Sequence, residues 1–503
     1  MSQGTSSGQG GPAAGRGQGS HRGASWPPRS VARARTDPAR LVAWRTVRAV
    51  SERDAYANLV LPSALTEAGL SGRDAAFATE LCYGVLRGQG RYDAILTRCV
   101  DRPLADLDAP LLDALRVGCH QALAMRVPAH AAVAATVDLV RGEIGAGASS
   151  LANAVLRRVV ARDLGAWLTE VAPDQGQNPD GYLSVVTSHP VWIVRALRDA
   201  LGFAGRPTAE LPDLLAADNE AAPVSLVALP GLCEPDELLG RGATPGRLSA
   251  RAVRVTGAVS AMEAVRQARA RVQDEGSQLV TTAFTLADTV GPDAGRWLDL
   301  CAGPGGKAAL LGATLAQRQA LGLVPSDARL VACEPVPHRV RLVHSSLSGV
   351  LRRAPDLVDV RCADGRELCV QEPDHYDRVL VDAPCTGLGA LRRRPEARWR
   401  RRPGDLAELS PLQRSLLVSA LTAVRPGGVV AYVTCSPHPV ETRTAVQDAL
   451  RGRDDVTWLD AVPLVARATQ DRVDDLGPSP DVQLWPHRHG TDAMYLALLR
   501  RER

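Results

Sequence analysis

Apolar side chains recur at helical spacing along the first third of the chain, between Asp37 and Arg162. Asp37 and Pro38 form a good helix start, and an apolar face follows at Leu41, Val42, Trp44, Val47 and Val50. The pattern predicts further helices after Ser71 and over Ala109–Ala124, Ala129–Glu143 and Ser149–Val160. No strand-like alternation interrupts them, so we expect a compact all-helical domain.

From Arg271 onward the pattern changes to apolar strands that alternate with helices. The predicted strands are Trp297–Leu300, Arg329–Cys333, Arg378–Val381 and Val429–Val433, and the main helices between them are Lys307–Gln317 and Leu412–Val424. Such alternation predicts an α/β domain with a parallel, doubly wound sheet. A sheet of this kind binds its ligands at the carboxyl ends of its strands.

These patterns divide the chain into four parts. Residues 1–36 are rich in glycine, serine and proline, with five arginines and no acid, which is typical of a disordered basic tail. The helical domain occupies 37–165 and the α/β domain 271–503. Between them, at 166–270, short helix and strand signals are mixed, and we expect a smaller α+β connecting region.

Composition excludes several classes of protein. An apolar content of 45% is ample for buried cores, whereas a net charge of +4 does not by itself indicate a nucleic-acid partner. No apolar run approaches the roughly 20 residues of a membrane helix, and the N-terminus has no signal-peptide core, so we expect a cytoplasmic protein without a membrane partner. The ten cysteines include no CxxC pair, so no metal site is expected.

The first candidate site is the turn after the predicted strand Trp297–Leu300: Cys301, Ala302, Gly303, Pro304, Gly305, Gly306 and Lys307. Its glycines let the backbone approach a ligand closely, and the following helix N-terminus favours an anionic group. The spacing fits neither a P-loop nor a dinucleotide fingerprint, and a plain structural turn remains open. Lys307 is the only lysine among 59 basic residues.

Acids and cysteines follow the other strands. Glu334 could accept hydrogen bonds from the ribose of NAD or S-adenosylmethionine, and Asp364 is suited to an adenine amino group. Asp382 and Cys385 follow the third strand, and Cys435 follows the fourth. A single cysteine there is usually a small buried hydrophobe, but two at one sheet edge favour a reactive pair.

This set suits methyl transfer to a pyrimidine. A thiolate that adds to carbon 6 makes carbon 5 nucleophilic towards a sulfonium methyl donor, and a nearby acid stabilises charge on the ring nitrogen. A base must then remove the carbon-5 proton so that the thiolate can leave, and the target base must be unstacked to enter the pocket.

Seven arginines lie between the two cysteines, at 392–402. We interpret Arg392, Arg393, Arg394, Arg398, Trp399 and Arg400 as a surface that binds RNA phosphates and stacks on bases. The alternative is a solvated charge run.

The three motifs Asp299–Lys307, Asp382–Cys385 and Thr434–Ser436 resemble, in that order, the Sun (RsmB-like) RNA 5-methylcytosine methyltransferases. Residues 273–278 also resemble the start of that family's catalytic domain. Arg73-Asp74 and residues 151–157 resemble its NusB-like domain. The resemblance implies a Rossmann-like domain that uses S-adenosylmethionine, with a cytosine in small-subunit ribosomal RNA as substrate.

The resemblance also implies roles for single residues. Cys435 would be the nucleophile, Cys385 would assist product release, and Asp382 would face the target base. The donor would be bound by Cys301–Lys307, Glu334, Asp364 and Asp382. The chain departs from the family pattern in having Gly303 where alanine is common, Glu334 where aspartate is common, and Ala308 where a hydroxyl residue is frequent.

Three alternatives stay open. The same chemistry could act on transfer RNA, or the chain could be a non-catalytic RNA-binding protein with a degenerate methyltransferase fold. A nicotinamide-dependent oxidoreductase is disfavoured by the glycine spacing. Oligomeric state is not indicated by the sequence.

Overall fold

A computed structural model describes residues 36–257, 259–470, 472–478 and 480–503. The predicted basic tail lies outside this part of the chain except for Thr36. Across the described ranges, no helix combines the length and the apolar character that crossing a membrane requires.

The first part is all-helical, as predicted. Asp37 caps the first helix by accepting the Arg40 N–H at 2.9 Å, and Pro38 occupies its first turn. Trp44, Leu86 and Leu115 are among the side chains that fill the core of this helical domain. The helices are α1 (Pro38–Arg53), α2 (Ala57–Glu67), α3 (Gly72–Cys99), α4 (Ala109–Leu123), α5 (Ala129–Glu143), α6 (Ala146–Val159) and α7 (Leu164–Val171).

The connecting region consists of two pieces with separate cores. Its helices α8 (Pro179–Thr187), α9 (Val191–Phe203) and α10 (Leu211–Ala217) share a core with Leu388, Leu391 and Trp485 of the last domain. Its strands form an antiparallel sheet in the order β2-β3-β1-β4, with its own core around Leu226 and Val253. These elements are β1 (Val224–Ala228), α11 (Pro235–Leu238), β2 (Ala243–Pro245), β3 (Ala252–Val255), α12 (Glu263–Arg266) and β4 (Ala270–Val272).

The last domain is α/β, as predicted, but its sheet is mixed rather than parallel. Strands β5 to β9 run parallel, whereas β12 pairs antiparallel with β9 and β10. The elements are α13 (Glu275–Leu286), β5 (Arg296–Asp299), α14 (Gly306–Ala320), β6 (Arg329–Cys333), α15 (Pro337–Arg353), β7 (Val358–Arg361), α16 (Gly365–Gln371), β8 (Tyr376–Asp382), α17 (Ala397–Arg400), α18 (Pro403–Ala423), β9 (Val424–Thr434), α19 (Arg443–Ala449), β10 (Val456–Leu459), α20 (Val462–Ala468), β11 (Val482–Gln483), α21 (Pro486–His489) and β12 (Tyr495–Arg501).

The strand order β10-β12-β9-β8-β5-β6-β7 places β5 between β6 and β8. From β5 the chain passes to β6 on one side of β5, and it later returns to form β8 on the other side of β5. A crevice therefore opens at the carboxyl ends of these strands. Apolar cores cover both faces of the sheet. Both faces are therefore closed to ligands, and the loops after β5, β8 and β9 are left to form a site.

Candidate active site

The two predicted thiols lie side by side. Cys385 follows β8, Cys435 follows β9, and their sulfur atoms are 3.4 Å apart. Both side chains are half-buried, so they remain open to a ligand. The Gly389 N–H donates to the Cys435 carbonyl at 2.9 Å, and a Cβ at Gly389 would lie 2.4 Å from the Ala493 carbonyl oxygen. Only glycine therefore permits this close approach of the two loops.

The two thiols have different charged neighbours. The hydrogen bond from Cys385, assisted by the nearby Lys307 and Arg394 cations, lowers the pKa of Cys435. The same hydrogen bond, together with burial and the nearby Glu441 carboxylate, raises the pKa of Cys385. The pKa of Cys435 is therefore lower than that of Cys385, since the Lys307 and Arg394 cations act on Cys435 whereas the Glu441 carboxylate acts on Cys385.

Lys307 and Asp382 form an ion pair beside the thiols, with Nζ 2.7 Å from Oδ2. Burial alone would lower the pKa of Lys307, but the Asp382 carboxylate outweighs it and the pKa is raised. The ammonium therefore stays charged and links the glycine-rich turn to the cysteine loop.

In the glycine-rich turn, the Glu334 carboxylate lies directly against Gly303. A Cβ at Gly303 would lie 2.1 Å from Oε2 of Glu334, so an alanine would collide with the carboxylate. Glu334 is buried, accepts the Val336 N–H at 3.1 Å, and lies 3.4 Å from Arg339. Arg339 also donates to the Gly303 carbonyl at 2.7 Å. The missing Cβ at Gly303 therefore leaves the room that the Glu334 side chain, longer than an aspartate, occupies.

Asp299, at the end of β5, is a buried carboxylate whose two oxygens lack hydrogen-bond partners among the described residues. Burial, reinforced by the nearby Asp382, raises its pKa to about 7. A buried polar group of this kind is costly unless something else satisfies it, so it marks the crevice as a ligand site.

Asp364 lies at the start of α16, where it accepts the Arg366 N–H at 2.9 Å. Its carboxylate also pairs with the Arg366 guanidinium, which lowers the pKa of Asp364. The carboxylate is half-buried at the same sheet edge as Glu334, one strand further along.

Comparison with known proteins agrees with this geometry. A family model described as 16S rRNA methyltransferase RsmB/F matches residues 287–500, and a NusB family model matches residues 37–161. The Rv1407 protein of Mycobacterium tuberculosis is 51% identical over 468 residues, which cover 92% of this chain and 97% of the relative. The chain belongs to the RsmB/F family of 16S rRNA methyltransferases.

Other relatives and a solved structure agree. The ribosomal RNA small subunit methyltransferase B of Xanthomonas campestris is 33% identical over 423 residues, covering 82% of this chain and 87% of the relative. The crystal structure of PH0851 shares the fold with a TM-score of 0.73 at 21% identity, covering 92% of this chain and 99% of that one. The predicted NusB-like domain and Rossmann-like methyltransferase domain are thereby confirmed.

The prediction of a surface for RNA is wrong for two members of the arginine run, Arg392 and Arg398. Arg398 is fully buried and donates to the Ser188 and Asp218 carbonyls and to Asn219, while Arg392 is 7% exposed and pairs with Asp274 and Asp492. Side chains with so little exposed surface cannot meet a phosphate. The pattern of charge could not show that buried acceptors and carboxylates lie opposite these side chains.

Three more members of the run also have partners within the protein. Arg393 pairs with Asp274 and Asp492, and Arg400 donates to the Val50 carbonyl. A Cβ at Gly90 would lie 2.3 Å from the Trp399 ring, so this ring packs against α3. Arg394 is exposed, has no side-chain hydrogen bond or ion pair within the described ranges, and lies 5.2 Å from the Tyr56 ring centroid.

Sequence reasoning missed several residues at this site. Asp299 opens the glycine-rich motif, and its position at a strand end was an available signal. Arg339, Gln413 and Glu441 lie on separate elements, and nothing in the local pattern indicated that they reach the cysteine or glycine loops.

Proposed function

We propose that the chain transfers a methyl group from S-adenosylmethionine to carbon 5 of a cytosine in small-subunit ribosomal RNA. The observation that carries the proposal is the pair of half-buried thiols, 3.4 Å apart, at the switch point of a methyltransferase sheet. Carbons 5 and 6 of a pyrimidine are bonded neighbours, so two groups that act on them must themselves be neighbours.

The reaction begins at Cys435. Its thiolate forms a bond to carbon 6, and the electron pair of the ring double bond moves towards carbon 5 while the Lys307–Asp382 pair faces the ring nitrogen. Cys385 loses its proton to solvent once the Cys435 charge that held it is gone, and then accepts the proton from methylated carbon 5. The double bond re-forms, the sulfur–carbon bond breaks, and Cys435 leaves as a thiolate.

The residues of the glycine-rich crevice fit the methyl donor. Glu334 would hold the ribose hydroxyls, Asp364 the adenine amino group, and Cys301–Lys307 would border the remainder. The unpartnered Asp299 carboxylate supports this fit. When bound, S-adenosylmethionine would supply an electrophilic methyl group, which bonds to carbon 5 as the methyl–sulfur bond of the donor breaks.

Support for the substrate comes from relatives. The Xanthomonas campestris and Erwinia tasmaniensis proteins are both named ribosomal RNA small subunit methyltransferase B, at 33% and 28% identity. We expect Arg394 to contact the RNA, because its side chain is exposed and its charge lowers the pKa of the nearby Cys435.

Bisulfite mapping of RNA from cells with and without the gene tests the proposal. We expect one cytosine of small-subunit ribosomal RNA to lose its protection in the deletion strain. Purified protein with labelled S-adenosylmethionine should restore the mark. Label found only in transfer RNA would contradict the ribosomal substrate, and no label in any RNA would favour a non-catalytic RNA-binding protein.

A further inference from the structure

We infer that Glu441 is a positioning residue that locks the two cysteine loops together and so sets the distance between Cys385 and Cys435. This inference rests on the proposed function for its chemical meaning. Glu441 is fully buried, and its carboxylate reaches away from its own loop towards the loop of Cys385. It accepts the Thr386 N–H at 2.8 Å and the Thr386 hydroxyl at 2.5 Å.

Cys385 is held from both sides. Thr386, the next residue, is bound to Glu441, and Pro384, the preceding residue, has its carbonyl bound by Gln413 at 2.8 Å. The same Gln413 amide also donates to Glu441 at 3.1 Å. The Glu441 carboxylate and the Gln413 amide, which belongs to α18, therefore fix the backbone on either side of Cys385.

Glu441 is equally tied to the loop of Cys435. It ends the short 3-10 turn Pro439–Glu441, six residues after Cys435, and its carbonyl accepts the Tyr432 hydroxyl at 3.0 Å. Tyr432 lies in β9, the strand that leads into Cys435. The Thr386 and Ser436 hydroxyls, 3.3 Å apart, add a direct contact between the loops.

A buried carboxylate with this arrangement has a clear physical consequence. Two of its three side-chain hydrogen bonds come from Thr386, so moving the Cys385 loop would leave one carboxylate oxygen and two buried donors without partners. The loop therefore has one favoured position relative to Cys435. The carboxylate is fully buried and its partners are Thr386 and Gln413, so it acts through the loops and not on the substrate.

The test measures how fast diamide joins Cys385 to Cys435 in the full chain, without RNA or methyl donor. In this probe reaction the two thiols form a disulfide and their hydrogens pass to the azo group of diamide, which becomes a hydrazine. Peptide mapping identifies the bond. We expect Glu441→Gln and Thr386→Val to slow it by about tenfold or more, because small displacements strongly reduce such rates. Thr386→Ser, which keeps the hydroxyl, should remain close to the wild type.

Loss of the Glu441 charge would by itself favour the Cys385 thiolate, since this carboxylate contributes to the raised pKa of Cys385. A charge effect would therefore speed the probe reaction, and slowing reports a change of geometry. The matched control is Glu275→Gln, which alters another buried carboxylate that accepts the Leu248 N–H at 2.7 Å and pairs with Arg254. It should lower stability but leave the probe rate unchanged.

Unchanged probe rates in both Glu441→Gln and Thr386→Val would overturn the inference, as would equal slowing in Glu275→Gln. A second measurement follows the covalent protein–RNA adduct during methylation. Glu441→Gln should accumulate it several-fold over the wild type, because Cys385 is displaced from carbon 5. If the wild type methylates no RNA, the proposed function fails while the probe rates still decide the role of Glu441.

Discussion

At the scale of single residues, chemistry in this crevice depends on which sulfur carries the negative charge. The Cys385 and Cys435 sulfur atoms share a hydrogen bond at 3.4 Å, and the Lys307 and Arg394 cations lower the pKa of Cys435. In the proposed mechanism, the lower pKa of Cys435 favours this thiol as the nucleophile and leaves Cys385 as the assistant.

This arrangement predicts the pH dependence of thiol alkylation. Because the pKa of Cys435 is lowered, iodoacetamide should react with it at pH values where an ordinary thiol is still protonated. Cys385→Ala removes the main cause, so the pKa of Cys435 rises and the alkylation midpoint moves to higher pH. Mass spectrometry of the Cys435 peptide checks this, and a midpoint that moves to lower pH would reverse the roles.

The pair Gly303 and Glu334 gives a second prediction at this scale. Gly303→Ala should weaken donor binding at least tenfold, because its Cβ would lie 2.1 Å from the Glu334 carboxylate. A second substitution, Glu334→Asp, shortens the acidic side chain, so the double variant should recover most of the lost affinity for the donor. Calorimetric titration with S-adenosylmethionine measures both variants. Binding that is equally weak in the single and the double variant would show that the two positions are not coupled.

At the scale of elements, the sequence pattern was most informative where burial is simple. Strands β6, β8 and β9 are almost wholly buried, and helices α4 and α5 begin where Pro110 and Pro128 predicted. Strand β12 was not predicted, and an apolar run does not reveal which way its strand runs, so the mixed sheet was missed. The partners of Arg398 and Arg392 were missed because they come from distant elements.

Packing of α3 against Trp399 predicts opposite effects for two glycine substitutions. Gly90→Ala should lower the free energy of unfolding by about 1–3 kcal/mol, because its Cβ would meet the Trp399 ring at 2.3 Å. Gly147→Ala in α6 meets nothing within 4 Å, and its effect should lie between zero and a gain of about 0.5 kcal/mol. Chemical denaturation measures both. Equal effects would show that α3 does not pack closely on Trp399.

At the scale of the whole molecule, the segment between the cysteines joins the domains. Arg398 donates to the Arg87 carbonyl of the helical domain and to the Ser188 and Asp218 carbonyls of the connecting region. The helical domain, the connecting helices and the cysteine loop thus meet around one buried guanidinium.

Two arginines of this segment should therefore respond differently to alanine. Arg398→Ala should lower the free energy of unfolding by roughly 3 kcal/mol or more, since it leaves several buried acceptors unpaired. Arg394→Ala should leave stability within about 0.5 kcal/mol but weaken RNA binding and flatten its salt dependence. Denaturation and filter binding at several salt concentrations separate these effects. The same loss of stability in both variants would contradict the distinction.

The central claim, a covalent bond between Cys435 and a cytosine, is tested most directly by trapping that bond. Purified Cys385→Ala, incubated with small-subunit ribosomal RNA and S-adenosylmethionine, should form a protein–RNA adduct that survives denaturing electrophoresis. The double variant Cys385→Ala with Cys435→Ala should form none. An adduct that persists without Cys435, or methylation at the wild-type rate by Cys435→Ala alone, would contradict the account.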